Sequence, residues 1–227
     1  MLGDKIERKL WFVKIPNLAF ILVIVSAFVY LIDYVSFLQG GEFFLTKLLY
    51  FDKALILKGQ IWRTIGFVFI GLNSSFLFAL LQSYFLYFLG TCLEVNVGER
   101  RFSLFYIFGV IFLIIGGFLT GTTTILYLNM TMFFAFATIN PNRKLLLFFF
   151  LPVKTIWLGV FDGVYFLINL LVALIRRDLA MILSISSALV SFLIFFGPRF
   201  FIDIYKQIKN LQQNSKRMYQ NGSYWGS

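Results

Sequence analysis

A chain of 227 residues that is 60% apolar, 20% aromatic and only 13% charged, with a mean hydropathy of +0.86, carries too much apolar surface for a soluble domain and suits a bundle embedded in lipid. Its net charge of +10 does not point to nucleic acid, because Lys and Arg gather at the ends of apolar runs. The absence of histidine excludes a Ser–His or Cys–His pair and an imidazole metal ligand, and the single cysteine, Cys92, excludes an intramolecular disulfide.

Residues 1–16 are charged and lead into an apolar run without a small-residue cleavage site, the pattern of a cytosolic segment rather than a cleaved signal peptide. A first span is expected over residues 17–38. Gly40-Gly41 opens a long mixed loop containing Lys47, Asp52, Lys53 and Lys58. Residues 64–94 are almost continuously apolar, about 46 Å as straight helix and too long for a core of about 30 Å. Asn73-Ser74-Ser75 divides them into an interfacial lead-in and a second span over 75–93. A short charged loop at 95–101 precedes a third span over 102–119. Gly121-Thr122-Thr123-Thr124 turns into a fourth, which Asn140-Pro141-Asn142-Arg143-Lys144 stops at about residue 139. The apolar stretch 145–151, followed by Pro152 and Lys154, reads as a second interfacial lead-in. The fifth span covers 155–175 and the sixth, after Arg176-Arg177-Asp178, covers 179–197. In the tail, Phe201, Ile204, Ile208 and Leu211 stand at helical spacing, as in an amphipathic helix on an anionic leaflet or an extension of the sixth span. The polar residues beyond 214 read as disorder.

These elements predict an all-α integral membrane protein: a cytosolic segment 1–16, a six-helix membrane domain 17–198 and a cytosolic tail 199–227. Fourteen Lys and Arg fall on the side of the N-terminus and six on the other, so both termini are expected in the cytosol.

Arg63, beside an apolar run, needs a carboxylate or backbone carbonyls, and Trp62 suits the headgroup boundary. Glu94 needs a cationic or hydrogen-bonding partner, but lies at the opposite end of the span from Arg63, so the two are not expected to pair. Asp162 sits about seven residues into the fifth span, with Asn169 on the same face. An intramembrane carboxylate is by default a functional candidate; the alternatives are a paired structural Asp or one wetted near the surface. Small residues line the fourth span (Thr131, Ala135, Thr138) and the sixth (Ala180, Ser184, Ser187, Ala188, Ser191), and Gly117-x-x-x-Gly121 offers another close approach.

Gly59-Gln60-Ile61-Trp62-Arg63-Thr64 ahead of the second span, Gly90-x-x-x-Glu94-x-x-x-Gly98 closing it, Asn140-Pro141-Asn142 ending the fourth and Pro152-x-Lys154 opening the fifth occur in an order that resembles the rhomboid superfamily over residues 15–197. The Asn-Pro-Asn ending leans toward its derlin branch. Rhomboid proteases use a serine in a Gly-x-Ser-Gly turn at the start of the fourth span and a histidine in the sixth. Here the corresponding positions are Tyr127-Leu128-Asn129-Met130, with Leu128 or Asn129 near the serine, and Ser184. The family's His-x-x-x-Asn oxyanion pair corresponds to Phe78 and Gln82. With each element replaced, no hydrolysis, cofactor or metal is expected.

The resemblance implies that the small-residue stripes of the fourth and sixth spans face each other. It also implies a pseudoprotease of a bacterial inner or ER-type membrane that binds transmembrane clients in protein quality control, aided by local bilayer thinning, with an AAA-type ATPase or membrane protease as partner. The candidate client-binding residues are Gln82, Asn129, Asp162 and Asn169, the last two lining the side between the second and fifth spans where such folds admit a client helix. Two readings from other classes stand beside this one. An intramembrane protease with an atypical nucleophile would need a Ser–Lys pair, and no lysine lies mid-span. A small transporter or channel subunit would use Asp162, but the sequence has no internal repeat and offers no second mid-span ionisable group for a relay.

Overall fold

The computed structural model describes residues 2–10, 12–71, 76–141, 144–147 and 151–198, with isolated positions 202, 209 and 213, and of residues 2–5, 144–147 and 151–153 the backbone alone. The described chain forms α1 (Leu2–Lys9), α2 (Leu18–Leu38), three short helices α3 (Phe44–Leu49), α4 (Lys53–Leu57) and α5 (Arg63–Gly66), a 3₁₀ turn (Phe67–Phe69), α6 (Phe76–Val97), α7 (Glu99–Thr120), α8 (Leu126–Ile139), strands β1 (Lys144–Leu147) and β2 (Leu151–Lys154), α9 (Thr155–Arg176) and α10 (Leu179–Phe195). Four helices, α2, α6, α7 and α9, are long and apolar enough to cross a membrane. Helices α8 and α10 are equally apolar but have only 14 and 17 residues.

Three expectations need correction. The charged stretch 95–101 is not a loop: α6 runs through Val97, α7 begins at Glu99, and Gly98 alone turns the chain, at φ 90°. Glycine takes that angle without steric cost, and Glu99 suits the first turn of α7 and pairs with Lys14 at 2.7 Å. Residues 39–62 are not an irregular loop but hold α3 and α4. Residues 144–147 and 151–154, expected within an all-α fold, pair instead as a short antiparallel ribbon, Lys144 with Lys154 and Leu147 with Leu151. Pro141 sits in the turn after α8, and Pro152 stands in β2 opposite Leu146. Both prolines oppose helix, and a two-stranded ribbon is all edge, where a missing N–H is tolerated. The break at Asn73-Ser74-Ser75, Asn142 of the Asn-Pro-Asn ending and the tail helix lie outside the described residues.

Helix α8 lies between α6 and α9, with α10 also against it, and its Leu128, Met132, Ala135 and Phe136 are fully enclosed. Glycines set the close approaches. A Cβ on Gly109 of α7 would stand 2.3 Å from Leu128, and one on Gly159 of α9 would stand 2.8 Å from Ala137 of α8. Helix α10 packs most extensively on α7. Ser191 Oγ donates to the Phe105 carbonyl at 2.7 Å and Ser187 Oγ to that of Phe112 at 3.2 Å. These two serines of the sixth apolar run thus face α7, not the small-residue stripe of α8. Their hydroxyls need acceptors, and Gly116 lets the α7 backbone come close enough to supply them. Gly117 makes room not for a helix but for Phe51.

Candidate functional site

The loop between α2 and α6 is built on charges that cap α3. Arg63, 5% exposed, donates through Nη1 to the carbonyls of Lys47 (2.8 Å) and Tyr50 (3.0 Å) and through Nε to Gln60 Oε1 (2.6 Å), with its guanidinium over the Tyr50 ring. Trp62 Nε1 donates to the Leu48 carbonyl. The carbonyl end of a helix lacks partners and favours a cation, so both residues answer one need. Asp33 of α2 does the same at the other end, accepting from the N–H groups of Leu45 (2.6 Å) and Thr46 (2.8 Å) and from the Thr46 hydroxyl (2.7 Å). It is fully buried. Sequence reasoning missed it. The signal was a lone carboxylate inside Leu31-Ile32-Asp33-Tyr34, and it shows that Asp162 is not alone as a carboxylate well inside an apolar run.

Further along, Asp52 caps α4 through the N–H groups of Ala54 and Leu55, and its carboxyl is held below the ordinary value by the Leu55 N–H and then by the Tyr50 hydroxyl. That same bond to Asp52 pushes the Tyr50 hydroxyl up. Phe51 beside them is buried edge-on against Phe67 and Phe118, and Lys53 N donates to the Gly121 carbonyl, seating the loop on the end of α7.

Gly90, Glu94 and Gly98 act as one device. A Cβ on Gly90 would lie 2.4 Å from that of Ala19, so α2 crosses α6 there. One turn later Glu94 Oε1 accepts the Ala19 N–H at 3.0 Å, giving the first turn of α2 the cap that Asn17 does not provide. Gly98 then reverses the chain into α7.

Two of the four candidate binding residues come together. Gln82 of α6 and Asn129 of α8 line three adjoining spaces. One, of about 140 Å³, lies under the loop with Tyr50, Gly71, Thr123 and Thr124. A small one of about 20 Å³ adds Ser26, Tyr30 and Ser83. The third, about 280 Å³, is a groove between α6 and α8 walled by Phe78, Leu81, Phe85, Leu89, Met130 and Phe133. Tyr106 of α7, buried and not singled out in the sequence, donates its hydroxyl to Asn129 Oδ1 at 3.0 Å. Nearby, Ser184 shares a hydrogen bond with Thr123 at 3.2 Å.

The other two candidates lie apart. Asp162 is on the buried face of α9 with Gly159 and Phe166, which meet Ala137, Tyr127 and Phe134 of α8. It therefore points at the α8 interface, and its Oδ2 has no hydrogen-bond partner among the described residues. Asn169 Nδ2 returns to the Tyr165 carbonyl of its own helix.

The described residues around Gln82 and Asn129 are amides, hydroxyls, aromatic rings and aliphatic side chains, with no carboxylate or amine among them. Such a lining can hold a polar group by hydrogen bonds inside an apolar wall. Comparison with protein-family models, curated proteins and solved structures finds no match to this chain.

Proposed function

We propose that this chain is a derlin-like rhomboid pseudoprotease, a six-span membrane protein with both termini in the cytosol that holds transmembrane segments of client proteins in the groove between α6 and α8 without cutting them. The reading rests on one observation above the rest: Phe78 and Gln82, at the positions the rhomboid resemblance assigns to the oxyanion pair, and Asn129, one of the two residues near its nucleophile position, line the same groove, which reaches the outside of the bundle. The groove holds hydrogen-bonding groups where such a protease keeps its catalytic ones. Supporting it, the Trp62-Arg63 and Gly90/Glu94/Gly98 marks have defined structural tasks, the first ordering the loop over the site and the second docking α2 on α6. Membrane-protein quality control, with an AAA-type ATPase or membrane protease taking over the client, is the role this activity serves.

The test uses the full chain in liposomes with a labelled transmembrane segment. A photo-crosslinking residue at Phe85, which lines the groove, should capture the segment, and one at Val190 on the exposed side of α10 should not. No cleavage product should accumulate. Equal capture at both positions would reject the groove as the binding site, and cleavage that tracks with labelling of one residue would reject the pseudoprotease.

A further inference from the structure

Resting on that client-binding reading, we infer that Asn129, oriented by Tyr106, determines specificity in the groove and selects transmembrane segments bearing an uncharged side-chain hydrogen-bond acceptor, such as the amide oxygen of Asn or Gln. An amide has one oxygen and one NH₂ group. The Tyr106 hydroxyl, on a residue only 3% exposed, donates to the oxygen of Asn129 at 3.0 Å. That bond fixes which way the amide faces and sets the NH₂ group on the side away from the Tyr106 hydroxyl, where Nδ2 donates to no described residue. Asn129 therefore offers donors to the space it shares with Gln82, and Tyr106 acts as its positioning residue.

The surroundings make this contact decisive. The groove follows α6 from Phe78 to Leu89, about 16 Å at 1.5 Å per residue, or half of a hydrocarbon core. Phe78 is 62% exposed, so the groove is open to a segment arriving from outside the bundle. Its walls are apolar, and exchanging lipid tails for Leu and Phe side chains drives little association. Discrimination falls to the hydrogen bond at the floor. A Lys or Arg side chain finds no carboxylate among the described lining residues to offset its charge away from water.

The experiment titrates the full-length protein in nanodiscs with oligo-leucine segments of about 20 residues carrying Leu, Asn or Lys at the centre, and reads binding by energy transfer. The Asn segment should bind about threefold to tenfold more tightly than the Leu segment, the range of one intramembrane hydrogen bond, and the Lys segment no more tightly than Leu. The readout is the Asn-to-Leu affinity ratio. Asn129→Leu should bring it to about one, and Tyr106→Phe should narrow it by releasing the amide. Melting curves identify the folded variants; Asn129→Leu decides alone where Tyr106→Phe does not fold. A ratio unchanged in Asn129→Leu, a wild-type ratio of one, or preferential Lys binding overturns the inference while leaving the client-binding reading in place. No binding of any segment overturns both.

Discussion

Removing Arg63 should cost stability through what it leaves behind. Its guanidinium is the donor to the Lys47 and Tyr50 carbonyls at the end of α3, and Arg63→Ala would strand both. At about 1–3 kcal/mol for each buried group left unsatisfied, the variant should lose about 2–4 kcal/mol, a melting temperature in detergent lower by about 5–15 °C. Arg63→Lys should recover only part of this, because one ammonium cannot reproduce the fork that reaches two carbonyls and Gln60 together. A wild-type melting curve for Arg63→Ala would show that the loop does not depend on the residue. Asp52 gives a pH test nearby. Its carboxyl is held below the ordinary 3.8, chiefly by the Leu55 N–H. A depressed carboxylate contributes stability above its unfolded value and loses it as pH falls through the lowered one. Hydrogen exchange at the Ala54 and Leu55 amides should therefore stay slow down to about pH 4 and accelerate only below it; acceleration already between about pH 5 and 6 would exclude Asp52 as the cap. The residue chemistry was legible in the sequence to different depths. That Arg63 wants carbonyls, and that Glu94 wants a hydrogen-bonding partner, follows from charge beside an apolar run. Which backbone supplies them does not, because the partners lie 16 and 75 positions away in sequence. Asp33 and Tyr106 escaped for a related reason: each bonds a residue on another element, and nothing in its own neighbourhood announces the partner.

Among the helices, α2 and α6 are joined by a backbone approach and a side-chain cap set one turn apart. Gly90→Ala places a Cβ against that of Ala19, which has no rotamer to yield, so the helices must separate at a cost of about 1–3 kcal/mol. Separation also pulls Glu94 from the Ala19 N–H. The two effects share one cause and should not add: Gly90→Ala with Glu94→Leu should be less destabilising than the sum of the singles, whereas Glu94→Gln, which keeps the acceptor oxygen, should be mild. Urea titration of the three variants and the double variant makes the cycle; strict additivity would mean that glycine and carboxylate act independently. Helix positions were the most legible part of the sequence, since apolar runs of helical length predict α2 and α9 almost to the residue and the end of α8. Boundaries marked by charge were less so. Glu99, Arg100 and Arg101 look like a loop, yet one glycine makes the turn and the charges become the first helical turn of α7. The paired strands 144–147 and 151–154 were missed because so short an apolar run has no period of its own, and the features that oppose helix are Pro141 ahead of the first strand and Pro152 within the second.

For the whole molecule, the short helices set a relation with the bilayer. Helix α8 is about 21 Å long and α10 about 26 Å at 1.5 Å per residue, against a core of about 30 Å. Three of their four ends are polar. Exposed Thr122 and Thr124 precede α8, exposed Lys154 closes the ribbon that follows it, and Arg176, Arg177 and Asp178 precede α10. Such groups seek the headgroup region, so the proposed six-span arrangement predicts thinner lipid beside α8 and α10 than beside α6 and α9, which have 22 residues each. A mismatch of about 4–9 Å at fractions of a kcal/mol per Å amounts to a few kcal/mol, enough to move a melting transition by about 10 °C or less. The protein reconstituted in mono-unsaturated phosphatidylcholines of increasing chain length should therefore be most stable in bilayers thinner than the average membrane and lose stability steadily as thickness grows. Segment binding in the groove should weaken over the same series, because Asn129 lies in the first turn of the short helix and the thickening lipid would bury it deeper. A stability optimum at or above about 30 Å would show that α8 and α10 do not meet lipid at their ends, and would remove bilayer thinning from the mechanism while leaving the groove itself intact.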